Sequence, residues 1–353
     1  MRIILLAVLP LAFACSGKKS DPAPTPPSGS DTKPAPTAEP PAKGLAAKDN
    51  DPAIVALAKD AAQCKPDGSR LEYNCPGFKA WRDSALFKDA KSDKTLANML
   101  DDTDEKVRFL AADRFAERNT EDAAVAKRVL AAAQAETSAL VADRLGKALG
   151  KIDATKTGIA ADVSKVIADH KLVELRLGLI TAGASNASLF DPILALANTS
   201  TDDKLRLAAE TAFYNNTPAG KEADVCKMWF ANVDNANAEI AGEAAHLCGR
   251  ISACKANWDS LLDKVDAKAK AGSIAHHQMA ASLQWMHDQS EASEPQKART
   301  VTIAKEIASN AKNDAFARSR AIEFVGATDK AFVATFKNDK EQMVKDAATK
   351  AMK

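Results

Sequence analysis

Six cysteines and five histidines are the residues of this 353-residue chain best suited to covalent or metal chemistry, and their spacing decides what each can do. Cys64 and Cys75 enclose ten residues, among them Pro66, Asp67 and Gly68. A turn-rich loop between two apolar stretches suits a disulfide, and closing it contributes about 3 kcal/mol in the chain-entropy model. Cys226, Cys248 and Cys254 leave one thiol over. A Cys248–Cys254 bridge across a helix turn is the expected pairing, with Cys226–Cys248 close behind. His276 and His287 are eleven residues apart and are expected to share a helical face, with Glu291 one turn beyond His287. That set lacks the paired-histidine spacing and second acid of a strong metal site, so neither a metal nor a cofactor is expected. There is no Gly-x-Ser-x-Gly, no phosphate-cradling glycine loop and no Cys–His pair with local context. No catalytic residue is assigned, and the chain is expected not to be an enzyme.

The sixth cysteine, Cys15, closes an apolar run. Met1-Arg2 is followed by twelve residues, Ile3 to Ala14, without a charge. Twelve is too few to cross a bilayer, which takes roughly 20, but fits the apolar region of a secretory signal. The ending Ala12-Phe13-Ala14-Cys15 resembles a bacterial lipoprotein lipobox, although Leu is usual where Ala12 stands and a smaller residue where Phe13 stands. The resemblance implies that residues 1–14 are a signal peptide and that Cys15 becomes the acylated first residue of the mature protein. The alternative is an ordinary signal cut at Ala14. Ser16, rather than Asp, after the cysteine points to the outer membrane by the enterobacterial sorting rule. Eight of the 15 prolines follow within residues 16–50, where no aromatic residue occurs. Such a composition cannot bury enough apolar surface to fold. Residues 15–50 are therefore expected to be a tether, with a reach of up to roughly 100 Å.

From residue 51 alanine dominates, and a frame repeats. Taking Val107 as position zero, small residues stand at four and five and a large apolar residue at eight. The frame recurs from Val141, Leu175, Leu205, Ile240, His276, Ala317 and Met343, at spacings of 34, 34, 30, 35, 36, 41 and 26 residues. Positions zero, four and eight share one helical face. An amphipathic segment precedes each, and turns such as Asp101-Asp102-Thr103-Asp104 supply residues able to cap the second helix. Self-similarity at this period marks an array of helix pairs. The pattern over about residues 92–353 resembles HEAT repeats, most closely at Asp104-Glu105-Lys106-Val107-Arg108 and Asp202-Asp203-Lys204-Leu205-Arg206. The resemblance implies an all-α fold, an α-solenoid of about eight helix pairs. It also implies a ladder between repeats from a turn acid and the arginine after the anchor, with Asp104/Arg108, Asp203/Arg206 and Asp314/Arg318 as candidates. Ala142, Ala241, His277 and Val344 interrupt it. Residues 51–91 do not fit the frame. They are expected to form an N-terminal helical cap, stapled by Cys64–Cys75 and packing Trp81, Leu86 and Phe87 on its apolar face.

The net charge is +1, and removing Arg2 with the signal brings it to zero, so no field favours nucleic acid. Trp229, Trp258 and Trp285, with Met228, Phe230 and Met286 beside them, concentrate large side chains in the second half of the array. Aromatic residues and Met enrich binding surfaces, so these three tryptophans are the expected partner contacts. Filling of the array's core is the competing explanation. The function these features imply is a lipid-anchored scaffold of the bacterial envelope that faces the periplasm and binds a protein or peptide. The alternative is a small-molecule or metal carrier built on His276, His277 and His287.

Overall fold

The computed structural model describes residues 43–353, so Cys15, the signal and most of the tether lie outside the described residues. Residues 43–50, assigned to the tether from their composition, are instead folded. Gly44 takes a left-handed φ of +61°, and the Leu45 amide donates to Asp102 Oδ2 at 2.7 Å. Asn98 Nδ2 donates to Asp49 and Asn50. Polar side chains hold this stretch together with Leu45, which packs against the core.

The cap begins with α1 (Pro52–Ala61), started by Asp51, which accepts from the Ala53 amide, and by Pro52 at the first position. A two-strand hairpin, β1 (Pro66–Asp67) and β2 (Arg70–Leu71), turns at Gly68. The Cys64–Cys75 disulfide closes the loop with its Cα atoms 5.9 Å apart, as the spacing predicts. Then α2 (Pro76–Asp83) packs on α1. Trp81 and Phe87 are buried with ring centroids 4.4 Å apart, but Leu86 is exposed. A 3-10 turn over Ala85–Phe87 replaces the helix there and points Leu86 outward.

Eight helix pairs follow, and the molecule is an all-α solenoid with eighteen α-helices among the described residues. The first helices are α3 (Asp93–Met99), α5 (Ala123–Ala135), α7 (Ala160–Asp169), α9 (Phe190–Thr199), α11 (Glu222–Asn232), α13 (Trp258–Ala271), α15 (Glu294–Ser309) and α17 (Lys330–Ala334). Their partners are α4 (Glu105–Glu117), α6 (Ala139–Lys151), α8 (Val173–Gly183), α10 (Asp203–Ala212), α12 (Ala238–Arg250), α14 (His277–Asp288), α16 (Ala315–Val325) and α18 (Gln342–Ala351). Asp104, Asp202, Asn237 and Asp314 cap four of these second helices through their side chains. The anchors Val107, Val141, Leu175, Leu205, Ile240 and Ala317 are all buried. The frame slips twice. His276 is only half-buried, precedes α14, and yields the anchor place to Met279. Met343 is exposed, and Val344 is buried in its stead.

Small residues let the second helices approach closely. A Cβ on Gly146 would lie 2.0 Å from the Leu175 carbonyl oxygen, and one on Gly178 would lie 2.2 Å from that of Asp143. The second helices pack on one another more tightly than the first helices do, which makes them the inner layer of the array. Amide side chains then satisfy helix-end carbonyls of the preceding repeat. Asn186 donates to Gly150 and Ile152, Asn232 to Ala197, and Gln289 to Arg250.

The ladder arginines do bridge repeats, but not to Asp104, Asp203 and Asp314. Arg108 forks onto Glu136 with both distances 2.9 Å, Arg206 donates to Asn232 at 2.7 Å, and Arg318 reaches Asp339. The turn acids Asp104 and Asp314 accept instead from the amides of their own first helical turn, and Asp203 accepts from Asn237. A cap is the nearer use for a short acid.

Candidate functional site

Trp229 and Trp258 are core residues and not partner contacts. Both sit on first helices, turned inward and buried, and each indole N–H is committed to a backbone carbonyl, Trp229 to Glu210 and Trp258 to Cys248, both at 3.0 Å. Met228 and Met286 are buried with them. Trp285 differs. It lies in the last turn of α14 and is 37% exposed.

The expected Cys248–Cys254 bridge is replaced by Cys226–Cys254, with Cα atoms 5.2 Å apart. After α12 the chain makes a 3-10 turn, Ser252–Asn257, that folds over α11 and carries Cys254 to Cys226. Cys248 faces the repeat core, buried and unpaired. Burial pushes its thiol up to about 12, so it is no nucleophile at neutral pH.

Around Trp285 three consecutive second helices bring a row of side chains to the inner face. Tyr214 follows the end of α10, Arg250 ends α12, and Trp285 lies in the last turn of α14. The Arg250 guanidinium carbon lies 4.7 Å from the Tyr214 ring centroid and 4.1 Å from that of Trp285. One turn back on α12, His246 meets the Trp285 ring edge-on at 6.1 Å. Burial, and then the nearby charge of Arg250, hold His246 down to about 4, so it is neutral at pH 7. Tyr214 also opens a cavity of about 240 Å³ lined by Asn215, Thr217, Glu222 and Ile251, with the Cys226 and Trp229 side chains at its floor. Further along the same face His277 stacks on the exposed Phe316 at 4.2 Å.

Sequence reasoning picked out Trp285 but missed Tyr214 and Arg250. The signal was available: the three stand 36 and 35 residues apart, one repeat each.

The histidines do not converge as a carrier would need. His276 packs on Gly242 of α12, His277 lies 4.5 Å from it, and His287 contacts Asp288 and Phe324 instead. Among the described residues no group of three or more His, Cys, Asp or Glu side chains is placed to hold a metal ion.

A second polar cluster lies beneath the face. Glu210 on α10 is fully buried, accepts from Asn232 at 3.2 Å through one oxygen and has no partner among the described residues for the other. Burial raises its carboxyl to about 8.

No family model matches the chain, and no curated protein matches it. Among solved structures it is similar to an engineered protein from a structural-genomics programme, at 15% identity over 85% of this chain and 83% of that one, with a TM-score of 0.41. It is also similar to human deoxyhypusine hydroxylase in complex with glycerol, at 12% identity over 85% of this chain and 94% of that one, with a TM-score of 0.29. The second is by its name an enzyme. That likeness runs counter to the expectation of a chain without catalysis, which is withdrawn. At such TM-scores neither likeness carries an activity to this chain.

Proposed function

We propose that this chain is a scaffold of the bacterial envelope that binds a protein or peptide partner on the inner face of its solenoid, centred on Trp285, Arg250 and Tyr214. The observation that carries the reading is this row: an exposed tryptophan, a tyrosine and an arginine spaced one repeat apart in three successive repeats. Trp, Tyr and Arg are the types most enriched among residues that dominate binding energy. An array of stacked repeats also offers an extended surface to an elongated partner. The lipobox-like Ala12-Phe13-Ala14-Cys15 supports a lipid anchor facing the periplasm, with the proline-rich stretch as its tether. Among the described residues no helix is long and apolar enough to cross a membrane, so in this reading attachment falls to Cys15.

Photo-crosslinking from position 316 in intact envelopes, followed by mass spectrometry, tests the reading. A stoichiometric partner that is lost in Trp285→Ala supports it. Recovery of no partner, or crosslinks unchanged in Trp285→Ala, sinks it. Cys15→Ser is expected to move the protein to the soluble fraction, and retention in membranes would refute the anchor.

A further inference from the structure

Thirteen arginines lie among the described residues, and twelve of them give an N–H to an acceptor on the chain or face a carboxylate. Arg70 faces Asp67, for example, Arg144 faces Asp113, and Arg320 binds Glu323. Arg250 is the exception, for its side chain makes neither a hydrogen bond nor an ion pair among the described residues. It is nevertheless not loose. Tyr214 of the preceding repeat and Trp285 of the following one flank its guanidinium at 4.7 and 4.1 Å. Two aromatic walls fix the group by cation–π contact and leave its five N–H donors to solvent.

We propose that Arg250, held between Tyr214 and Trp285, is a carboxylate-reading site that takes an Asp or Glu side chain of an acidic peptide segment laid across the inner face. The inference rests on the partner-binding reading above and names the chemistry of that partner. A guanidinium matches a carboxylate with two parallel N–H bonds. An arginine already immobilised by its walls loses little further freedom on forming them. Arg250 and Arg320 are the fixed positive charges that bear on His246, whereas burial lowers His277 below its usual value and leaves it neutral at pH 7. A lone guanidinium, with Arg320 already engaged by Glu323 at 2.7 Å, suits the single charge of a carboxylate better than a phosphate dianion. The cavity beside Tyr214 is large enough for a neighbouring side chain of the same segment.

The probe is a fluorescein-labelled Glu–Tyr copolymer, with its Gln–Tyr counterpart as control and acetate and inorganic phosphate as competitors. It is titrated against the full chain in detergent, with melting curves confirming that each variant folds. The Glu–Tyr copolymer is expected to bind. Arg250→Gln should weaken it ~10-fold or more, as loss of a charged pair implies. Arg250→Lys, which keeps the charge and loses the fork, should weaken it nearly as much. Arg320→Gln should change it less than ~3-fold. Equal binding by Arg250→Gln, full binding by Arg250→Lys, or equal binding of the Gln–Tyr copolymer overturns the proposal. Displacement by phosphate but not by acetate overturns it too, and points to a phosphorylated ligand or a lipid headgroup. The envelope crosslink from position 316 separates the two failures. If Arg250→Gln keeps the partner that Trp285→Ala loses, the carboxylate reading is wrong and the scaffold reading stands. If the wild-type chain captures no partner, the scaffold reading fails first.

Discussion

Cys226 and Cys254 tie the first helix of the fifth repeat to the turn that leads into the sixth, and Cys248, between them in sequence, takes no part. Peptide mapping without reduction is therefore expected to recover a Cys226–Cys254 peptide. Cys248 should resist alkylation until the protein unfolds, because its thiol is buried and pushed up to about 12. The bridge closes a loop of 28 residues, which corresponds to roughly 3–4 kcal/mol in the chain-entropy model. Replacing Cys226 and Cys254 with Ser should lower stability by an amount of that order, measured by urea titration, whereas Cys248→Ala should leave both bridges formed.

Glu210 gives the fold a weakness on the alkaline side. Burial raises its folded pKa to about 8, above that of an exposed glutamate. The folded state therefore holds the proton more tightly than the unfolded state. Linkage then makes stability fall as pH rises from about 4.5 through 8. Asp113, raised by burial to about 6, adds a drop in the same direction between about 4 and 6. Glu210→Gln keeps the shape and removes the charge, so its stability should be nearly flat from pH 6 to 9. At pH 9 it should exceed the wild type by on the order of a few kcal/mol. Thermal melts across that range check this, and parallel curves for the two proteins would refute it.

The contact of α6 with α8 depends on the absence of a side chain. At Gly178 a Cβ would sit 2.2 Å from the Asp143 carbonyl oxygen, and at Gly146 one would sit 2.0 Å from that of Leu175. Backbone, not a movable side chain, blocks both. Gly178→Ala should force the helices apart and cost about 1–3 kcal/mol despite alanine's better helix propensity. Gly68→Ala, where nothing lies within 4 Å but φ is +61°, tests backbone strain alone. Its cost should come without loosening of α6 and α8, as hydrogen exchange would show.

Much of this architecture was legible because helix pairs write themselves as an apolar period and a cap. Each of the eight predicted pairs exists, and six anchors are buried where the frame puts them. The frame slipped at His276 and Met343 because a half-polar ring and a long thioether fit the pattern without filling the core; Met279 and Val344 do that. The cysteine pairing depended on a 3-10 turn folding over α11, a tertiary event with no local signal. Trp229 and Trp258 could not be told from surface residues because core and binding face use the same side chains. Arg250 and Tyr214 were hidden for the opposite reason: a frame of apolar and small residues gives no weight to an arginine or a tyrosine, even when they stand one repeat apart.

The inter-repeat arginines set the acid limit of the fold. Burial alone would raise Glu136, but the fork from Arg108 and the Thr137 and Ser138 amides overcome it and hold the carboxyl below its usual range. Asp339 follows the same logic with Arg318 and the Glu341 amide. A carboxyl whose folded pKa is depressed contributes stability above its unfolded pKa and loses it as pH falls through the folded one. Stability should therefore decline below about pH 4 through these two pairs, opposite in sense to the effect of Glu210. The two pairs differ in burial. The Arg318 side chain is 2% exposed and also donates to the Ala308 carbonyl, whereas that of Arg108 is 19% exposed. Removing one partner of a buried pair costs about 3–5 kcal/mol, and water offsets part of that at Arg108. Arg318→Gln should thus cost about 3 kcal/mol at pH 7 and Arg108→Gln about half as much. Each should flatten the acid limb of the stability curve, and an acid limb unchanged in both variants would mean that other carboxylates control it.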